Sequence, residues 1–238
     1  LNRIYGTLFH PSVFAMYLVV LFPVFVYTLN YSKTGIPRIV AWILTVLLVV
    51  SILLTFTRIA WLGLLVGIIG MLIVLKRFRL LLIFVLFLGL IGFVFGSEIL
   101  NRLGEAITFS NGRIIFSQFG SVAWRFKQWI LAINLIKSHL FTGIGIWSFP
   151  LYSAYETTPH NDYLRVFAET GIFGLVSYLG LLLFPAYRIT RYLKGAKNID
   201  PRTIHFLGAV LLSVLIYCLL GITDNPIGLP AVSWYYWC

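Results

Sequence analysis

Six apolar runs, at roughly 12–29, 39–56, 59–75, 80–96, 171–187 and 204–221, most constrain how this chain can fold. A helix needs about 20 apolar residues to cross a hydrocarbon core, with about 17–25 tolerated, and every run meets or approaches that length. One such run can be the core helix of a soluble domain. Six in 238 residues cannot all be buried in one, because a chain this short has too small an interior. The chain is 60% hydrophobic and 11% charged, against about 45–50% and 25% in soluble domains. Its 20 Phe, 13 Tyr and 7 Trp suit lipid faces and interfacial belts. The expected class is an all-α integral membrane protein of about six transmembrane helices, with a long extracytoplasmic loop carrying an amphipathic interfacial helix. Residues 1–96 hold spans one to four, 97–170 form the loop, and 171–238 hold spans five and six.

The net charge is +11. Its basic residues mostly cap the apolar runs, which points away from nucleic acid and toward anionic membrane lipids or phosphate-bearing substrates. Lys33 and Arg38, then Lys76, Arg77 and Arg79, then Arg188, Arg191, Lys194, Lys197 and Arg202 fall in three connections that share one side if all six runs span. Short basic connections mark the cytoplasmic face. The opposite face then receives the N-terminal stub, the tight turn at Arg58, the loop 97–170 and the segment after 221. Cys218 and Cys238 have no zinc spacing, and no structural disulfide is expected. The chain begins at Leu1 and ends in the apolar stretch Ala231 to Cys238, which reads as part of a longer protein with helices upstream.

Pro23 inside the first run is tolerated in a span and is expected to kink it. Gly63, Gly67 and Gly70 recur on one side of the third run, the small-residue spacing of a close helix contact. In the loop, Gly104, Ser110, Asn111 and Gly112 read as turns. Residues 124–140 form an amphipathic pattern whose apolar stripe is Phe126, Trp129, Ile130, Ile133, Ile136 and Leu140, lying along the interface or packed on an outer domain. Gly143-Ile144-Gly145 reads as a tight turn re-entering the bundle rather than a phosphate loop, since no strand or lysine accompanies it. A short helix follows from about Asn161 to Glu169, with Asp162, Arg165 and Glu169 on one face. Gly171 and Gly174 separate it from the fifth span or bend a single longer helix.

Arg58, Arg125, His160, Glu169 and Asp224 all fall on the non-cytoplasmic side of this topology. Arg58, in Thr55-Phe56-Thr57-Arg58, sits close to hydrocarbon and either snorkels to the interface or clamps a phosphate through its multi-point donors. Arg125 either anchors the interfacial helix to anionic lipid or joins an anion site. His160 is either a surface or capping histidine or a general base toward a hydroxyl. Glu169 orients a partner or pairs with Arg165. No histidines have metal-ligand spacing, so no catalytic metal and no cofactor are expected.

Four stretches resemble the bacterial O-antigen ligase and polymerase superfamily of multi-spanning envelope glycosyltransferases. They are Gly6 to Ala15, where an asparagine is commoner than His10; Leu54 to Gly63, where Thr57 and Ile59 depart from the usual serine and glycine; Trp124-Arg125 through Trp129 with Phe141-Thr142-Gly143-Ile144-Gly145 and Phe149; and His160-Asn161-Asp162-Tyr163-Leu164 with Ala168-Glu169-Thr170-Gly171-Ile172-Phe173-Gly174-Leu175. Asp224-Asn225-Pro226 is a shorter echo. The resemblance covers the C-terminal part of a typical member of about ten to twelve spans.

The resemblance implies an enzyme of the bacterial cytoplasmic (inner) membrane. It would use an undecaprenyl diphosphate-linked glycan as donor and transfer it, outside that membrane, to a hydroxyl of a glycan, lipid or protein acceptor, without a metal. Arg58 and Arg125 would bind the diphosphate, His160 would activate or position the acceptor hydroxyl, Glu169 would support the hydrogen-bond network, and Asp224 would contact substrate at the rim. Two other readings compete. A transporter or flippase of lipid-linked glycans would move the lipid without glycosylating an acceptor, and a non-catalytic scaffold of a polysaccharide assembly complex would tolerate loss of Arg58 and His160.

Overall fold

The computed structural model describes residues 10–32, 34–90, 107–110, 113–116, 121–196, 198–229 and 232–233. In order these form α1 (Pro11–Tyr31), α2 (Ile36–Leu54), α3 (Arg58–Val74), α4 (Phe78–Leu90), β1 (Ile107–Ser110), β2 (Arg113–Phe116), α5 (Ser121–Ser138), α6 (Phe149–Tyr152), α7 (Asp162–Gly195) and α8 (Pro201–Leu220), with a 3-10 turn at Pro226–Gly228.

Each of the six apolar runs is helical over most of its described residues. By length and apolarity α1, α2, α7 and α8 can cross a membrane, while α3 and α4 are shorter apolar helices. The end of the fourth run, 91–96, lies outside the described residues, as do the N-terminal stub 1–9 and most of the loop before α5. Among the described residues, a small antiparallel hairpin is added to the all-α class, β1 on β2, in register from Ile107↔Phe116 to Ser110↔Arg113. The fifth run belongs to a 34-residue helix that continues unbroken by Pro185 and contains one residue of non-helical backbone, Gly171 at φ +69°. The short helix and the fifth span are therefore two helical segments that meet at a kink at Gly171.

The bundle is built on small residues. Gly63 and Gly67 of α3 face Val19 and Phe22 of α1, and Gly63, Gly67 and Gly70 face Ile216 and Leu212 of α8. A Cβ on Gly67 would stand 2.8 Å from the Phe22 ring, and one on Gly208 of α8 would stand 2.7 Å from Val74. Helices without side chains at the contact can approach closely, and dispersion then replaces the hydrophobic effect as the attractive force in lipid. Met16, Val19, Ile52, Leu182, Ile216 and Leu220 fill the core. The outer side of α2 carries Ile39, Trp42, Ile43, Leu44 and Leu47, all about half exposed or more. So large a bare apolar face suits lipid rather than water.

The contact pairs fix helix directions. Gly63 meets Val19 and Gly67 meets Phe22, so α3 runs parallel to α1; Gly63 meets Ile216 and Gly70 meets Leu212, so α8 runs against both. One end of the bundle, called here the head, therefore collects the N-termini of α1 and α3 and the C-terminus of α8. The N-terminus of α7 joins it, because Asp162 donates its backbone N–H to Gly221 O at 2.8 Å. The three basic connections meet at the other end. There Arg77 Nη2 donates to Asn30 Oδ1 at 3.4 Å, Arg202 lies over the Tyr31 ring, and Tyr31 hydrogen-bonds His205.

Candidate functional site

The head is assembled around the break in α7. Where Gly171 leaves helical geometry, the carbonyls before it lose their helical partners. The loop after α5 supplies replacements: Ile144 N–H donates to Ala168 O at 2.9 Å and Gly145 N–H to Glu169 O at 3.0 Å, while Ile172 N–H donates back to Leu140 O at 2.9 Å. The contact is close enough to require glycine on both sides. A Cβ on Gly143 would lie 2.4 Å from the Glu169 carbonyl, and one on Gly171 would lie 2.2 Å from Phe141 O. Both residues also have positive φ, which L side chains disfavour. Gly143-Ile144-Gly145 is thus a backbone dock for α7, in keeping with the re-entering turn expected of it.

α5 packs on this dock through Gln128, Ala132, Leu135 and Ile136, against Phe149 and Ala168. The apolar stripe read from the sequence stays mostly exposed, and α5 docks through another face: Phe126, Ile130, Ile133 and Leu140 are exposed, while Ile136 is buried. α5 has apolar residues on nearly every side, so periodicity alone does not say which face docks.

Two chain segments cross above α7 and α8 and are laced together. Asn161 caps α7 by accepting from Leu164 N–H at 2.9 Å and donates its side-chain amide to Ile222 O at 3.0 Å. Asn225 Nδ2 donates to Thr158 Oγ1 at 2.9 Å. Asp162, wholly buried, accepts from Ile227 N–H at 2.9 Å and from the Tyr178 hydroxyl at 3.1 Å on one oxygen, while its other oxygen has no partner among the described residues. Thr157, Thr223 and Asn225 each also carry a buried side-chain oxygen without a partner, so the crossing concentrates the unsatisfied polar atoms found among the described residues.

At this crossing His160 Nδ1 lies 3.2 Å from Asp224 Oδ1, with side-chain exposures of 33% and 13%. The edge of the Trp124 ring packs on the imidazole at a centroid distance of 5.1 Å, and Trp129 Nε1 donates to Pro159 O at 2.9 Å. His160 itself has φ +50°, as do its near neighbours Trp147 and Glu156 at +61° and +51°. Non-glycine residues in this region are uncommon, and such backbone is held only where the surroundings enforce it. A carboxylate on Nδ1 fixes the tautomer with Nδ1–H donating to it, which leaves the Nε2 lone pair free to take a proton. Nε2 has no hydrogen-bond partner among the described residues.

The remaining candidates divide. Arg58 is the first residue of α3, exposed, at the head, and directly after a turn of three residues from α2. Thr57 makes no side-chain cap there, so the first-turn amides and the guanidinium face the same region with the same sign. Arg125 is half-buried on α5, next to the Trp124 that touches His160. Among the described residues neither arginine side chain has an ion-pair partner, and neither touches His160. Glu169 stands apart from His160 as well. It is buried against Arg165, whose Nε donates to it at 3.4 Å, and it accepts from Phe149 N–H. Asp224, expected at the substrate rim, is the partner of His160. Asp162, Trp124 and Tyr178 were not singled out as site residues from the sequence. An aspartate at a helix start reads as a cap, and nothing local signals a tyrosine sixteen residues away. His10 caps α1: its Nδ1 accepts from Ser12 N–H at 3.2 Å. Among the described residues no group of three or more His, Cys, Asp or Glu is placed to hold a metal ion.

A family model described as O-antigen ligase matches residues 43–179, more than half of the chain. The match runs from within α2 through α3, α4, α5 and the loop dock to the first half of α7, and so includes Arg58, Arg125, His160 and Glu169. No curated protein matches the chain.

Proposed function

Because the chain belongs to the O-antigen ligase family, we propose that it is a membrane glycosyltransferase. It moves a glycan from an undecaprenyl diphosphate-linked donor to an acceptor hydroxyl on the extracytoplasmic face of the bacterial cytoplasmic membrane. The observation that carries this reading is the His160–Asp224 pair at the end of the bundle opposite the basic connections. By the rule that short basic connections stay in the cytoplasm, the head faces outward.

His160 Nε2 takes the proton of the acceptor hydroxyl as its oxygen bonds to the anomeric carbon. The bond from that carbon to the donor phosphate breaks, and its electron pair leaves with the lipid diphosphate. Asp224 orients the imidazole and stabilises the cation it becomes. Arg58 and Arg125 meet the charge that develops on the diphosphate, Arg58 with the uncapped amides of the α3 N-terminus beside it. Glu169 supports the site indirectly, through Arg165 and the Phe149 amide.

The test reconstitutes the full-length protein in vesicles with a lipid-linked glycan and candidate acceptors, and reads acceptor glycosylation and lipid crossing together. Arg58→Ala is expected to lower transfer about tenfold to a hundredfold, the worth of a charge-assisted contact. A cysteine replacing Ser110 is expected to be labelled from outside intact cells. Lipid crossing without any glycosylated acceptor would instead establish a transporter, and unchanged transfer in the variant would remove Arg58 from the site.

A further inference from the structure

Beside the head, a cavity of about 330 Å³ runs along one side of α7, lined by Trp147, Arg165, Val166, Gly174, Tyr178 and Leu181 among others. It starts before the Gly171 break and reaches Leu181, roughly 15 Å beyond the break at 1.5 Å per residue. Its walls are apolar along most of this length. At its head end sits Arg165, only 4% exposed. The guanidinium stacks on the Trp147 ring at 4.2 Å, and Nη1 would lie 2.8 Å from a Cβ on Gly228, so glycine there makes room for it.

A guanidinium has five N–H donors. Here Nε alone is used, in a long 3.4 Å contact to Glu169. Neither Nη1 nor Nη2 has a hydrogen-bond partner among the described residues, yet neither is sealed from every probe, since the fully enclosed and unpartnered atoms are all oxygens of Thr157, Asp162, Thr223 and Asn225. A buried cation with spare donors is costly unless an acceptor reaches it. The open side of Arg165 is the cavity.

We propose that this cavity is a lipid seat, holding a single hydrocarbon chain against Val166, Gly174, Tyr178 and Leu181 with a phosphate of that lipid on the free Nη groups of Arg165. Glu169, accepting from Nε, keeps the guanidinium aimed. This site rests on the glycosyltransferase reading and adds to it: Arg165 becomes a third lipid-phosphate ligand, on a helix different from those of Arg58 and Arg125.

Native mass spectrometry of the full-length protein in nanodiscs tests it, with undecaprenyl phosphate and the phosphate-free undecaprenol as probes. The double variant Arg165→Gln/Glu169→Gln removes both charges together and leaves neither buried alone. It is expected to weaken undecaprenyl phosphate about tenfold to a hundredfold and to leave undecaprenol unchanged. Leu181→Trp, which fills the apolar end, is expected to weaken both. Undiminished binding of undecaprenyl phosphate in both variants would overturn the proposal. Displacement of the probe by equal concentrations of inorganic phosphate or phosphatidylglycerol would overturn the single-chain assignment. If the wild-type protein binds the probe as expected but glycosylates no acceptor, the glycosyltransferase reading fails and the lipid seat stands. If transfer is normal and the double variant binds as tightly as wild type, the seat fails alone.

Discussion

In the bundle, α3 meets α1 and α8 through side chains laid into glycine gaps: Val19 and Ile216 at Gly63, Phe22 at Gly67, Leu212 at Gly70. In the head, the loop 140–145 meets α7 backbone to backbone, and its partners at Gly143 and Gly171 are carbonyl carbons and oxygens. The first kind of contact can give, because a leucine or valine can change rotamer. The second cannot, because a peptide group has no alternative rotamer and its hydrogen bonds have no substitute in a buried place. The bundle therefore asks for small, apolar residues in a pattern, whereas the head asks for particular residues. That difference fits a division of labour in which the bundle holds and the head acts.

The largest effect that sharpens this contrast is expected from Gly171→Val. A β-branched residue would have to hold φ +69° with its Cβ against Phe141 O at 2.2 Å, and the left-handed backbone alone costs about 1–2 kcal/mol. Transfer should fall below detection and the unfolding temperature should drop; near-normal transfer would mean that the dock is dispensable. Next comes Asp224→Ala. The fold should survive, and turnover should fall about tenfold to a hundredfold with KM little changed, since an orienting partner acts on the base rather than on binding. A rise in KM with normal turnover would return Asp224 to substrate contact at the rim. The smallest effect is expected from Gly67→Ala in the bundle. The added Cβ presses on the Phe22 ring at 2.8 Å and reaches Ile216 at an ordinary 3.4 Å, so overpacking of about 1–3 kcal/mol should lower thermal stability while folded protein keeps transfer within about threefold. A loss of transfer as deep as that of Gly171→Val would erase the distinction between the two regions.

The bundle was legible in the sequence because its determinants are repetitive. Apolar length marks the six helices, and Gly63, Gly67 and Gly70 announce a close contact by spacing alone. The start of α7 was legible too, since Asn161 is a capping residue ahead of Asp162. The head was less so. In α5 the face that docks is not marked by periodicity, because the exposed Phe126, Ile130 and Ile133 are as apolar as the residues that dock. Gln128, which accepts from the buried Ser153 hydroxyl at 3.1 Å, lies on the docking side, where a polar residue is not expected. The hairpin has a signal in the sequence, Asn111-Gly112 between Ile-Thr-Phe-Ser and Arg-Ile-Ile-Phe, but runs of four residues announce a turn more clearly than they announce strands. The pairing of His160 with Asp224 has no local signature at all. The two are 64 residues apart, and the lacing of Asn161 to Ile222, of Asn225 to Thr158 and of Asp162 to Gly221 and Ile227 brings them together.

His160→Ala, assayed for acceptor glycosylation in the reconstituted full-length protein beside a thermal-unfolding control, tests the central claim most directly. The His160–Asp224 pair as general base predicts at least a hundredfold loss of transfer, the lower end of what such a group contributes, with an unfolding temperature close to wild type. Transfer within a few-fold of wild type in the folded variant would contradict it.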